Sequence, residues 1–144
     1  PIYGLATILV LAYIPHLTKK AVLSEKLKKE GKEYATANSR GLSALMIDHT
    51  PLGMKIANIM GCHQNGLEAF SYFSVAMLCC MVAKVDYAVQ TGATAIFIII
   101  RVLYTYVYMS SLNGAPRTYL FFASAFFTLA LLAIAGAKYG KDNQ

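Results

Sequence analysis

Four apolar segments dominate this sequence, each close to the ~20 residues that an α-helix needs to cross a bilayer. They cover approximately residues 2–17, 67–85, 93–112 and 119–137. A helix of a soluble bundle carries a polar stripe, whereas Phe121–Ala135 contains only Ser124 and Thr128 as polar members. Apolar residues make up 57% and charged residues 14% of the chain. We therefore predict a single all-α domain over residues 1–144, an integral membrane four-helix bundle.

Positive charge is concentrated between the first two segments. The formal net charge is +6, which in a soluble protein can indicate nucleic-acid binding. Basic residues beside a membrane helix instead set its orientation and attract anionic head groups. We therefore expect a lipid bilayer and no nucleic acid as the partner, with the 1–2 and 3–4 loops on the cytoplasmic side or its organellar equivalent. The basic residues between the first two segments are Lys19, Lys20, Lys26, Lys28, Lys29, Lys32, Arg40 and Lys55.

The first segment does not resemble a signal peptide, because no basic residue precedes it and Lys19 and Lys20 follow it. The cysteines Cys62, Cys79 and Cys80 have neither the number nor the spacing of a disulfide framework or a zinc site. We therefore expect no metal ion.

Residue types between the segments predict where the helices begin and end. The lysine-rich stretch Thr18–Lys32 continues the first helix along the membrane surface, and Gly31 marks its end. Pro51 suits a first helical turn, so the next helix should run from about Leu52 through the second span. The remaining stretches predict, in order, an irregular loop, a short connection and a tight turn: Tyr34–Pro51, Asp86–Gly92 and Asn113–Gly114–Pro116.

Five polar residues lie within or beside the apolar spans: Asn65, Glu68, Arg101, Tyr108 and Arg117. Ionisable side chains are costly in hydrocarbon and are functional candidates there. Helical spacing places Asn65 and Glu68 on one face, and Arg101 and Tyr108 on another. The start of span two, the end of span three and the start of span four share one side of the membrane. The five residues can therefore line one pocket, with Arg101 ~10 Å deeper than Tyr108.

Each of these residues also has a purely structural interpretation. Glu68 and Arg101 can neutralise each other, and Asn65 can form a hydrogen bond between helices. Tyr108 can belong to an aromatic belt, and Arg117 beside a turn can set topology or anchor the chain to lipid.

Taken together, the five residues suit a small anionic, peptide-like ligand. Arginine grips carboxylates with paired hydrogen bonds, and Glu68 can receive an ammonium group. A tyrosine or an arginine can stabilise a bound thiolate, which makes a thiol nucleophilic. His63, close to the end of its span, is more simply interfacial than catalytic.

The stretch His63–Phe73, HQNGLEAFSYF, resembles the signature of the MAPEG family, membrane-associated proteins in eicosanoid and glutathione metabolism. The second span of these proteins carries an Asn-x-x-Glu motif, often preceded by His-x. Arg101, Tyr108 and Pro116–Arg117 also resemble the family in type and separation. Asn38–Ser39–Arg40 is similar to an element in the first loop of bacterial-type members.

This resemblance implies a four-helix protomer that commonly assembles as a homotrimer and binds glutathione between neighbouring subunits. By the same resemblance, Asn65, Glu68, Arg101, Tyr108 and Arg117 contact glutathione, and Arg117 is the catalytic residue that stabilises its thiolate. The implied activity is that of a glutathione-dependent transferase or peroxidase acting on lipophilic electrophiles, which would enter from the bilayer.

The chain departs from the family pattern at four positions. Asn58 and Gly61 stand where members often have basic residues, Gln64 replaces a basic residue of some enzymes, and Phe121 replaces a tyrosine of some members. These departures support a second hypothesis, in which the chain is a catalytically inactive accessory subunit of a larger membrane complex. A third hypothesis, a lipid-binding or transport protein, predicts lipid rather than a tripeptide in the pocket.

Overall fold

The protein forms a bundle of four α-helices in a computed structural model that describes residues 1–29, 31, 50–110 and 114–142. The helices are α1 (Ile2–Lys29), α2 (Pro51–Val82), α3 (Tyr87–Ser110) and α4 (Ala115–Asp142). The predicted all-α architecture of four long apolar helices is confirmed for these residues. Most of the predicted loop before Pro51, including Asn38–Ser39–Arg40, lies outside them, as does Asn113.

All four helices are long and apolar enough to cross a membrane. Only 22% to 33% of the most apolar window of each helix is buried inside the bundle, so most of their apolar surface faces outward. Large side chains such as Leu17, Val82 and Phe126 are exposed. Soluble monomers rarely expose apolar surface on this scale. The protein is therefore a multi-pass membrane protein whose outer surface is suited to lipid.

Helix α2 is central and contacts each of the other three helices. Its buried face includes Ala69, Phe73 and Met77, which share one core cluster with Ile8 of α1 and Phe97 of α3. The rings of Phe73 and Phe97 stack with centroids 3.8 Å apart. Leu131 of α4 belongs to the same cluster, so this core joins α2, α3 and α4, the three helices that carry the predicted site.

Helices α1 and α2 are longer than the bilayer requires. The 32 residues of α2 span about 48 Å, against about 30 Å of hydrocarbon. The C-terminal part of α1 and the start of α2 pack through their own apolar cluster of Leu23, Leu27 and Ile56. The side chain of Thr50 caps α2 by accepting a hydrogen bond from the Gly53 N–H at 3.1 Å, and Pro51 occupies the first turn. The predicted start of this helix is confirmed.

The connection between α2 and α3 is shorter than the sequence indicated. We expected Asp86–Gly92 to form it, but α3 begins at Tyr87. The reason is that Asp86 caps the helix, with its Oδ1 accepting hydrogen bonds from the N–H groups of Ala88 at 2.8 Å and Val89 at 3.3 Å.

Helix α2 ends in a Schellman motif that places Lys84 in a left-handed conformation. Its φ is 52°, a region that favours glycine. The Lys84 N–H donates to the Met81 carbonyl at 3.1 Å, and the Val85 N–H donates to the Cys80 carbonyl at 2.9 Å. The side chain of Lys84 is exposed, so the turn depends on the backbone of residue 84 rather than on its ammonium group.

We predict that Lys84→Gly raises the thermal unfolding midpoint of the detergent-solubilised protein, because a residue other than glycine in this conformation costs roughly 1 kcal/mol. The matched control is Lys138→Gly, which introduces glycine inside α4 and should lower the midpoint. Equal effects of the two substitutions would contradict this account of the turn.

Helices α1 and α2 approach each other closely at Gly66. A Cβ atom at Gly66 would lie 2.9 Å from the Cβ and 3.0 Å from the Cα of Ala12. Real Cβ atoms essentially never lie as close as 2.9 Å to another heavy atom, and the Ala12 Cβ cannot rotate away, so a larger residue would force α1 away from α2. Small residues at helix contacts serve this purpose in membranes.

We predict that Gly66→Ala destabilises the protein, although alanine is the better helix former by about 1 kcal/mol. Gly136→Ala provides the control, because a Cβ there meets no atom within 4 Å, and it should stabilise. Thermal midpoints in one detergent would compare the two variants. If the midpoint of Gly66→Ala equals or exceeds that of the unmodified protein, the contact between α1 and α2 can accommodate a methyl group and this account is wrong.

Candidate functional site

Three of the five predicted site residues line one cavity. It has a volume of about 400 Å³ and lies where α2, α3 and α4 meet. Asn65 comes from α2, Tyr108 from the end of α3 and Arg117 from the first turns of α4, as their common depth suggested. The cavity is lined by Asn65, Tyr104, Tyr108, Gly114, Arg117, Thr118, Phe121 and Phe122.

Arg117 is held in this cavity from two directions. Its guanidinium carbon lies 4.6 Å from the centroid of the Tyr108 ring, within the range of a cation–π interaction. Its Nη1 donates a hydrogen bond to Oδ1 of Asn58 at 2.9 Å. A guanidinium has five N–H donors, so these contacts orient the cation and leave donors for a ligand. The sequence did not predict Asn58 as a partner, because it lies on a different helix from Arg117.

Tyr108 crosses from α3 toward α2 at Gly61. A Cβ at Gly61 would lie 2.5 Å from the hydroxyl oxygen of Tyr108, so a larger residue there would displace the phenol from this position. The hydroxyl of Tyr108 occupies the space that a side chain at residue 61 would fill. Nδ2 of Asn65 donates to the Gly61 carbonyl at 3.0 Å. The Tyr108 phenol and the Asn65 amide are therefore both held beside the same turn of α2.

Glu68 does not line this cavity. Its side chain is exposed, and its Oε1 accepts a hydrogen bond from Nε2 of Gln64 at 3.1 Å. Within the part of the chain that the structure describes, Glu68 and Arg101 form no ion pair, so the interpretation that they neutralise each other is wrong for a single protomer. Residues three apart on a helix differ by about 60° in direction. That rotation is enough to carry Glu68 from the cavity to the outer surface.

Arg101 also lies outside the cavity, behind one of its walls. It is 3% exposed, and its guanidinium carbon lies 4.2 Å from the centroid of the Tyr104 ring. We expected the cavity to extend inward to Arg101. Tyr104 lines the cavity instead, and its ring covers the arginine. Among the described residues, Nη1 of Arg101 has no hydrogen-bond partner.

The chemistry of the cavity follows from its lining. Arg117 provides a positive charge, Tyr108 a phenol and Asn65 an amide, while Phe121 and Phe122 form an apolar wall. A cation and a phenol beside an apolar wall can stabilise a small anion next to a lipophilic molecule. Among the described residues, no cluster of three or more His, Cys, Asp or Glu side chains has the geometry of a metal site.

Comparison with known proteins identifies a family and no individual relative. The family model of the MAPEG family matches residues 1–137 of the 144-residue chain. No curated protein and no solved structure matches the chain. The match includes α1, α2, α3, all but the last five residues of α4 and every residue of the cavity, and on this evidence the chain belongs to the MAPEG family.

Proposed function

We propose that this protein is a glutathione-dependent membrane transferase or peroxidase that acts on lipophilic electrophiles. Membership of the MAPEG family suggests glutathione-related chemistry in a membrane. The observation that carries the proposal is the position of Arg117 over Tyr108 in a cavity that also contains Asn65. This arrangement brings a cation and two polar side chains to a site bordered by apolar helices.

Arg117 is the proposed catalytic residue, and its role is to favour the thiolate of bound glutathione. A thiol becomes a strong nucleophile only after it loses its proton, and a neighbouring cation lowers its pKa. The guanidinium of Arg117 is oriented by Asn58 and Tyr108 before any ligand arrives. Preorganised charge of this kind stabilises a developing anion without further rearrangement.

The thiolate then reacts with a substrate that enters from the bilayer. In a transferase reaction the sulfur attacks an electrophilic carbon, a C–S bond forms, and the displaced electron pair goes to the leaving group or into the acceptor. In a peroxidase reaction two glutathione molecules reduce a lipid hydroperoxide to an alcohol and water, and they form one disulfide. Phe121 and Phe122 are exposed to the cavity and suit the lipophilic part of either substrate.

We further propose that the protomers assemble as a homotrimer with glutathione between them. Glu68 is exposed at the start of an apolar stretch, where an uncovered carboxylate is costly. A neighbouring protomer and the ammonium group of glutathione together would cover it. In this arrangement Glu68 contacts glutathione from the outer edge of the site, and Asn65, Tyr108 and Arg117 contact it from the cavity. Arg101 lies behind the Tyr104 ring, so it would contribute its positive charge through the cavity wall and would contact glutathione only if that ring moves.

We predict that Arg117→Ala weakens glutathione binding to the purified protein by roughly tenfold to a hundredfold, the value of a lost hydrogen bond to a charged group. Arg117→Lys keeps the charge without the planar fork, so its affinity should be intermediate. Titration calorimetry would measure binding, and ultraviolet absorbance of the thiolate would measure ionisation of the bound thiol.

The matched control for the charge is Lys138→Ala, because Lys138 is an exposed cation on α4 that pairs with Asp142. This variant should bind glutathione like the unmodified protein. Absence of glutathione binding by the unmodified protein would refute the proposed function.

A second candidate function is that of a catalytically inactive subunit within a larger membrane complex. The favouring observation is that Asn58 engages Arg117 at 2.9 Å, while Phe121 supplies no hydrogen-bond donor to the cavity. In this case the protein should copurify with unrelated membrane subunits at fixed stoichiometry and should not bind glutathione. A free homotrimer that turns over glutathione would exclude it.

We predict that Asn58→Asp lowers the ionisation of the glutathione thiol more than it lowers glutathione binding. A carboxylate at this position would pair with the Arg117 guanidinium and offset its charge, so the pKa of bound glutathione should rise and the thiolate fraction at neutral pH should fall. Asn58→Ala removes the hydrogen bond without adding charge and serves as the control. A thiolate fraction in Asn58→Asp equal to that in Asn58→Ala would show that the charge of Arg117 does not ionise the thiol.

A further inference from the structure

A larger cavity, of about 600 Å³, lies between α1 and α2 and has no part in the proposed reaction. Its polar lining comes from His16 and Lys19 of α1 and from His63 and Gln64 of α2. Ile59 and Leu67 are among its apolar lining residues. The cavity therefore combines groups that attract an anion with a surface that suits hydrocarbon.

Lys19 is the residue that most directly indicates a ligand. It is only 7% exposed, and among the described residues no hydrogen-bond or ion-pair partner is present for its ammonium group. Most of the side chain is enclosed by the protein, and a cation bordered by apolar surface favours a counter-ion. Because Lys19 lines the cavity, an anion bound there would supply the missing partner.

His63 is fixed at the edge of the same cavity. Its Nδ1 lies 2.8 Å from the Ala12 carbonyl oxygen, and since a carbonyl only accepts, Nδ1 carries the hydrogen and donates it. The ring also packs against Tyr13 and His16, with centroid distances of 5.2 Å and 4.9 Å. The bond to Ala12 leaves Nε2 of His63 available to the cavity.

The depth of the cavity identifies the source of the anion. Lys19 follows the end of the first apolar segment, at Leu17, by two residues. It therefore lies near the boundary between hydrocarbon and head groups, where the phosphates of lipids are found. A bilayer supplies these phosphates at high local concentration, and their acyl chains match the apolar lining.

We propose that this cavity binds an anionic phospholipid, with the phosphate at Lys19. The side-chain amide of Gln64 and the imidazole of His63 lie beside the phosphate, and the glycerol and first acyl carbons lie against Ile59 and Leu67. This site is separate from the cavity of Arg117, so the proposal holds whether or not the protein turns over glutathione.

Native mass spectrometry of the delipidated full chain in detergent tests this proposal, with phosphatidylglycerol and phosphatidylcholine of identical acyl chains as probes. The unmodified protein should bind phosphatidylglycerol at least tenfold more tightly than phosphatidylcholine. Lys19→Met should abolish this preference, and Lys19→Arg should retain it. Lys20→Met removes an exposed neighbouring charge and should change the affinity by less than twofold.

Thermal unfolding gives a second readout that a purely structural role would not produce. Lys19→Met should raise the midpoint of the lipid-free protein, because it replaces a largely enclosed cation, for which the described residues provide no partner, with an apolar side chain of similar length. The same variant should lose the increase that phosphatidylglycerol gives to the unmodified protein. A variant that keeps this increase would overturn the proposal.

Further measurements distinguish lipid binding from the binding of other anions and from general attraction to the basic surface. Equal losses in Lys19→Met and Lys20→Met would show attraction to the basic surface alone and overturn the site. Displacement of phosphatidylglycerol by equimolar inorganic phosphate would assign the cavity to a soluble anion. Displacement by equimolar glutathione would assign it to the glutathione site. Either displacement would overturn the lipid proposal, whereas failure of both supports it.

Discussion

A Cβ atom at residue 66 would lie 2.9 Å from the Cβ and 3.0 Å from the Cα of Ala12, so the close contact of α1 and α2 at this level depends on the absence of a side chain at Gly66. In a membrane the surrounding lipid is as apolar as leucine, and helices associate through close packing rather than through the hydrophobic effect. This contact brings the carbonyl of Ala12 within reach of His63 and places Lys19 beside α2. It also fixes the rotation of α2, on which the position of every polar residue of that helix depends.

Helix α2 is a wall shared by the two cavities. Asn58 and Asn65 face α3 and α4, while His63 and Gln64 line the cavity beside α1. Gly61 lies on the side of α2 that faces α3, where the absence of a side chain leaves room for the Tyr108 hydroxyl. The polar residues of α2 are therefore divided between two cavities, and each cavity contains a cation in a different environment. In one site Arg117 is oriented by hydrogen-bond and ring contacts, and in the other Lys19 has no partner among the residues that the structure describes.

The sequence predicted the helices and the depth of the site better than it predicted which side chains meet. Apolar length fixes the spans, and the shared membrane side of three helix ends placed Asn65, Tyr108 and Arg117 at one level. Helical spacing relates residues only within their own helix, so it did not reveal that Asn58 faces Arg117. It also did not reveal that the Tyr104 ring covers Arg101. Both contacts depend on the rotation of neighbouring helices.

The negative charge of Glu68 and the positive charge of Lys19 lie at separate places in the structure. Glu68 is exposed beside apolar surface with an amide as its partner, and Lys19 is buried beside an open cavity. A soluble protein would resolve an exposed carboxylate with water, but hydrocarbon provides no such solvation. Neither charge has an opposite charge beside it among the described residues, and the two groups differ in what would stabilise them. Glu68 needs a cationic group and a covering surface, as a second subunit with glutathione would provide, whereas Lys19 needs only an anion small enough to enter its cavity.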